Sequence, residues 1–176
     1  MRALGECWNA THILTHTFSF KGLNQKTLLK IKLEVDTEPP PGFSVEPKAL
    51  MEPIPVSINS YVTSDLFAGK MHAVLCRAWK HRIKGRDWYD FVWYVRKGIF
   101  LNLAHLEKRM WQSGCLASTQ KLTQKCFDEM LTKKIANLDI DLARNDVQPF
   151  INDIAQVSSW TKDYFMQFAS QIKYSE

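Results

Sequence analysis

No stretch of the 176 residues is apolar for long enough to span a bilayer, which takes about 20 consecutive predominantly apolar residues. Met1 to Ala10 lacks the basic-then-apolar order of a secretion signal, so a soluble, cytoplasmic protein with no membrane partner is expected. Cysteine is scarce: Cys7, Cys76, Cys115 and Cys126 are scattered, with no CxxC pair. That spacing suggests neither a zinc site nor a disulfide framework, and reduced, mostly buried thiols are expected. Internal repeats and low-complexity tracts are missing too. Acid is absent from one stretch, because Lys70, Arg77, Lys80, Arg82, Lys84 and Arg86 follow one another with no Asp or Glu between them.

What is present suits one ordinary domain with a genuine core: 45% hydrophobic and 12% aromatic residues. The net charge of +5 and a pI near 9.0 are compatible with a polyanionic partner. The charge is uneven, since the segment from Asp128 to Asp153 is mostly acidic.

Along the chain, TLLKIKLEVD (Thr27 to Asp36) alternates: Ile31, Leu33 and Val35 take one face and Lys30, Lys32, Glu34 and Asp36 the other, a half-buried strand with a charged side. THILTHTFSF (Thr11 to Phe20) reads as a second strand, with KGLNQK as a hairpin connection. His12 and His16 would share a face there, but no carboxylate accompanies them to make a metal site. Six of the seven prolines fall between Pro39 and Pro55, which predicts an irregular connection. PVSINSYV (Pro55 to Val62) reads as a short edge strand.

Ser64 and Asp65 then resemble an N-cap, and from there the chain reads as helical. On a helix over Leu66–Trp79, Phe67, Met71, Val74, Leu75 and Ala78 form one apolar stripe, with Lys70 at its edge instead of on the solvent face. A second helix is expected from Asp87 to Lys97 with Gly98 closing it. Later helices are expected near Leu103–Gln112, Lys121–Lys134 and Trp160–Ile172. The overall expectation is an α+β fold in two parts, 1–62 with the sheet and the proline-rich connection and 63–176 helical.

The stretch KGRDWYDFVWYV (Lys84 to Val95) sets charged residues against an aromatic run. Asp87 followed by Asp90 approximates a capping box, which would account for both carboxylates without chemistry. Asp90 is accordingly expected to bond backbone amides of its own helix.

LFAGKMHAVLCR (Leu66 to Arg77) followed by GRDWYDF (Gly85 to Phe91) together resemble the AbiEii-type nucleotidyltransferase toxins of bacterial abortive-infection and toxin–antitoxin systems. IKLEV (Ile31 to Val35) is similar to that family's Lys-x-Glu strand, and DVQPFI (Asp146 to Ile151) to its C-terminal signature. The resemblance implies a partial nucleotidyltransferase sheet followed by a helical domain. It implies transfer of a nucleotide from an NTP, with Mg2+, to an acceptor that in some members is the 3′ end of tRNA. It implies catalytic roles for Lys70, Asp87 and Glu34, nucleotide contacts from Lys32, Lys70 and Arg86, and Glu34 as a metal ligand. Arg86 is read alternatively as a brace for the helix start. Arg77, Lys80, Arg82 and Lys84 lie beside the expected cleft, where they suit RNA.

The family's Gly-Ser turn and Asp-x-Asp pair, however, should stand upstream of the Lys-x-Glu strand, and no Gly-Ser dipeptide or aspartate precedes Lys30. Nucleotidyl transfer usually needs two ions clamped by such carboxylates. The expectation is therefore a chain inactive by itself, with a cognate antitoxin, an RNA, and a separately encoded N-terminal half as partners. The alternatives are a non-catalytic remnant that binds nucleotide, RNA or antitoxin, and an unrelated helical interaction domain.

Overall fold

Pro47 lies inside a strand. In the computed structural model, which describes residues 36–52, 54–77 and 83–175, β1 (Val45–Leu50) pairs antiparallel with β2 (Val56–Tyr61), Pro47 standing opposite Asn59. This corrects the expected irregular connection. Among the described residues both strands of this ribbon are edges, and an edge strand has an outward row where proline's missing N–H costs no ladder bond. The chain divides into two units, Met1–Thr37 and Glu38–Glu176, and the ribbon belongs to the second. The strands expected over Thr11–Phe20 and Thr27–Asp36 lie outside the described residues, apart from Asp36.

Helix α1 (Thr63–Cys76) buries Phe67, Met71, Val74 and Leu75 along the expected stripe. Its cap differs from expectation: the N-cap position is Val62, with no side-chain bond. Asp65, buried in the first turn, instead accepts hydrogen bonds from the Ser44 N–H at 2.6 Å and Asn102 Nδ2 at 2.7 Å. It thereby ties the lead-in of β1 to a segment far along the chain.

Helix α2 (Gly85–Arg96) is followed by Gly98 at φ +64°, where a left-handed residue ends the helical path. Next come β3 (Phe100–Asn102) and α3 (Leu103–Gln112), whose first turn is capped by Asn102 accepting from the His105 N–H at 2.9 Å. Helix α4 (Gln124–Ala136) is capped by Thr123, and α5 (Ile140–Val147) by Asp139. A 3-10 turn (Gln148–Phe150), α6 (Ala155–Ser158), α7 (Lys162–Ala169) and β4 (Lys173–Ser175) complete the order. β4 lies parallel to β3. Helices with two small sheets make this an α+β protein.

The core runs through the helices. Phe67 and Met71 of α1, Trp88 and Phe91 of α2, Leu106 and Met110 of α3, and Phe127 and Leu131 of α4 are buried together. Each such burial contributes about 1.5–3 kcal/mol. Trp88 and Trp160 each stand 5.1 Å from the Phe165 ring, so α7 is pinned to α2 through aromatic contacts.

One expectation about cysteine is overturned. Cys76, the last residue of α1, is bonded to Cys115 just beyond α3, with Cα atoms 5.7 Å apart. Their separation of 39 residues carries no local signature, so only the packing of α3 along α1 brings them together. Among the described residues Cys126 is a free thiol. None of the described helices is long and apolar enough to cross a membrane.

Candidate functional site

Lys70 leaves α1 beside the buried stripe and reaches across to α2. Its Nζ lies 2.9 Å from Asp87 Oδ1 and 2.7 Å from Asp90 Oδ2. Asp87 and Asp90 are three residues apart, so both project from one side of α2 toward the same ammonium. The two carboxylates are unequal: the Asp87 side chain is 4% exposed and that of Asp90 41%. Asp90 therefore does not cap its own helix, as the capping-box reading expects, but closes the solvent side of the Lys70 pair.

Burial alone would push the Lys70 pKa down; hydrogen bonds to Asp90 and Asp87, and the charges of both, outweigh it and raise the pKa above the ordinary 10.5. The pair's stability is thus fully present below the unfolded lysine's value and is lost as pH rises through the raised folded one. Two residues on, His72 is held down to about 4, from 6.5, by burial and by the charges of Arg109 and Arg77. An unfolded histidine takes its proton first, so stability also falls as pH drops from 6.5 toward about 4. Urea titrations across pH are expected to show both limbs. Lys70→Met should diminish the alkaline limb, to which Tyr94, Tyr164 and Tyr174, all raised above 10.0 by burial, also contribute. His72→Gln should diminish the acid one, to which His105, lowered from 6.5 by burial, also contributes.

The start of α2 is positioned from a distance. The Gly85 N–H donates to Asp146 Oδ2 of α5 at 2.9 Å, a cap supplied 61 residues downstream. A Cβ on Gly85 would stand 1.8 Å from the Ala143 carbonyl oxygen, so only glycine lets α5 approach. Arg86 places its guanidinium 4.2 Å over the Phe150 ring. Gly-Arg-Asp and Asp-Val-Gln-Pro-Phe, distant in sequence, thus form one joint that fixes where Asp87 projects.

Of the site residues expected from sequence, Lys70 and Asp87 are brought into contact, and Arg86 is turned toward Phe150. Arg77 and Lys84 lie where α1 ends and just before α2 begins. Glu34, Lys32, Lys80 and Arg82 lie outside the described residues. Sequence reasoning misses Asp146 and Phe150 as positioning residues, although their motif stands out, and it misassigns Asp90. An acidic pair three apart on a helix facing a stripe-edge lysine is the available signal.

A divalent ion is not accommodated by these residues alone. Asp87 Oδ2 is buried without a hydrogen-bond partner, an oxygen of the kind a hard cation takes. Yet the described residues contain no group of three or more His, Cys, Asp or Glu able to hold a metal.

Residues 7–167 match the family model described as nucleotidyl transferase AbiEii toxin, type IV TA system. No curated protein and no solved structure matches the chain.

Proposed function

The chain belongs to the AbiEii nucleotidyl transferase toxin family, and from that premise we propose that it supplies the lysine side of a nucleotidyl-transfer centre. Membership of a type IV toxin–antitoxin family also implies a cognate antitoxin. The observation that carries the proposal is the Lys70 ammonium gripped by a buried Asp87. An ammonium has three donors, and Asp87 and Asp90 take two, so one remains for a phosphate oxygen. In the reaction an acceptor hydroxyl oxygen bonds to the α-phosphorus of an NTP and pyrophosphate leaves. Lys70 offsets charge on the phosphates, and Asp87 is the positioning residue that holds it. Magnesium, held in part by Glu34, would supply activation of the attacking oxygen and neutralisation of the triphosphate charge. Its principal carboxylates are to be sought outside these 176 residues, with Glu34 and Lys32 adding a ligand and a phosphate contact. RNA is the proposed acceptor, with Arg77, Lys80, Arg82 and Lys84 contacting its backbone.

The test is incorporation of labelled nucleotide into tRNA with magnesium. The chain alone is expected to give none. Adding a second chain that carries the family's Gly-Ser and Asp-x-Asp strands should restore labelling, and Lys70→Ala should then reduce it at least a hundredfold, as loss of an electrostatic catalytic contact does at about 2.7–4 kcal/mol. Labelling by the chain alone would remove the need for a partner half. Equal labelling with Lys70→Ala would remove the assigned role. No labelling even with the partner would favour a non-catalytic remnant, a reading supported by the lack of any aspartate before Asp36.

A further inference from the structure

Arg86 lies over the Phe150 ring, Arg96 donates to the Tyr164 hydroxyl, and Arg144 donates to the Val157 and Trp160 carbonyls. Arg109 of α3 is different. Among the described residues its Nε is buried without a hydrogen-bond partner, and its two terminal nitrogens, equally unpartnered, keep contact with solvent. The guanidinium rests against α1 at Gly69, where a Cβ would stand 3.6 Å from its Cζ. A part-buried charge of this kind is unfavourable until an anion completes it. Its surroundings supply none. His72 of α1 has Nε2 2.8 Å from Ser113 Oγ, and that hydroxyl itself donates to the Met110 carbonyl at 3.2 Å. Nε2 therefore carries the proton of the neutral ring, and Nδ1 is left to take a second one. Burial, then the charges of Arg109 and Arg77, hold the His72 pKa down to about 4, with no carboxylate acting against them.

We infer that the margin of the α1–α3 seam, at Arg109 and His72, is a docking site for an acidic segment of a partner protein, with one carboxylate seated on the Arg109 guanidinium. With Nε buried, only the end-on pair of terminal nitrogens is offered, and that fork matches the two oxygens of a single carboxylate. One fixed guanidinium beside a neutral imidazole suits one negative charge. A nucleic-acid backbone draws its affinity from many cations in a row, whereas α3 carries only Lys108 and Arg109. A carboxylate held there also favours the charged form of His72, so docking and protonation strengthen each other. Neither Lys70 nor Asp87 takes part, and the site stands apart from the transfer reading.

The experiment is fluorescence anisotropy on the full chain with a labelled aspartate-rich octapeptide, its asparagine counterpart and a single-stranded RNA octamer, while NMR follows the His72 titration. The aspartate peptide is expected to bind and the asparagine one not. Arg109→Gln is expected to weaken that binding about tenfold, and Arg109→Lys, which keeps the charge and loses the fork, to recover only part of it. Lys125→Gln, an exposed cation on α4, is expected to change nothing, and circular dichroism checks that each variant folds. With the aspartate peptide bound, the His72 midpoint is expected to rise from about 4 by about one unit, equivalent to tenfold tighter docking on the protonated ring. That shift is read on the unaltered chain, so it decides the matter even where a variant unfolds. Equal binding of the two peptides, binding by neither, equal losses in Arg109→Gln and Lys125→Gln, full recovery by Arg109→Lys, or an unmoved His72 midpoint would each overturn the site. RNA that binds more tightly than the peptide and loses its binding in Arg109→Gln would overturn the protein partner in favour of a phosphate backbone.

Discussion

Gly85→Ala is expected to destabilise the chain by about 4 kcal/mol, combining overpacking against backbone with loss of a helix cap. For a chain of this size that is a fall in Tm of roughly 10 °C. The added methyl would meet the Ala143 carbonyl oxygen at 1.8 Å, and backbone in a packed helix cannot swing aside as a side chain would. α5 must retreat, taking the Asp146 cap and the Phe150 seat of Arg86 with it. Gly114→Ala is the control. Gly114 has positive φ, but nothing lies within 4 Å of the place its methyl would take, so only the left-handed strain of about 1–2 kcal/mol remains. Thermal unfolding by circular dichroism checks both, and equal shifts would mean that α5 does not bear on Gly85.

Lys70→Met is expected to cost about 3 kcal/mol at neutral pH, because removing one partner of a buried pair leaves the other charge uncompensated. Asp87, with a side chain 4% exposed, is the charge left behind; Asp90, 41% exposed, can turn to water. Adding Asp87→Asn to Lys70→Met should recover most of the loss, whereas adding Asp90→Asn should recover little, since exposed ion pairs contribute about 0–1 kcal/mol. Urea midpoints for the single and double variants close the cycle. Equal recovery by the two asparagine changes would show that burial does not distinguish the carboxylates.

Local signals explain what is legible in the sequence. The helix expected near Leu103–Gln112 is α3, whose first turn Asn102 caps, and Gly98 marks the end of α2. Lys70 is conspicuous because a lysine at the edge of an apolar stripe must find a counter-charge nearby. What escapes is long-range. Asp90 passes for a cap since two acids three apart at a helix start look alike whether they serve backbone amides or a lysine on another helix. The true cap, Asp146, and the Cys76–Cys115 bond join residues whose proximity exists only after α3 and α5 have packed. Pro47 misleads in the opposite direction, because its penalty depends on whether a strand is central, which composition does not state.

The 61 residues between Gly85 and its cap also set a clock. A ribosome adding about 5–20 residues per second makes Lys70 roughly 4 to 15 s, and Asp87 and Asp90 roughly 3 to 12 s, before Asp146. Through that interval α2 has its sequence but neither the acceptor for its first amide nor the backbone against which Gly85 seats. The charge pair is thus assembled late in synthesis, and a nascent chain halted between Asp90 and Asp146 carries every side chain of the pair without the joint that aims them.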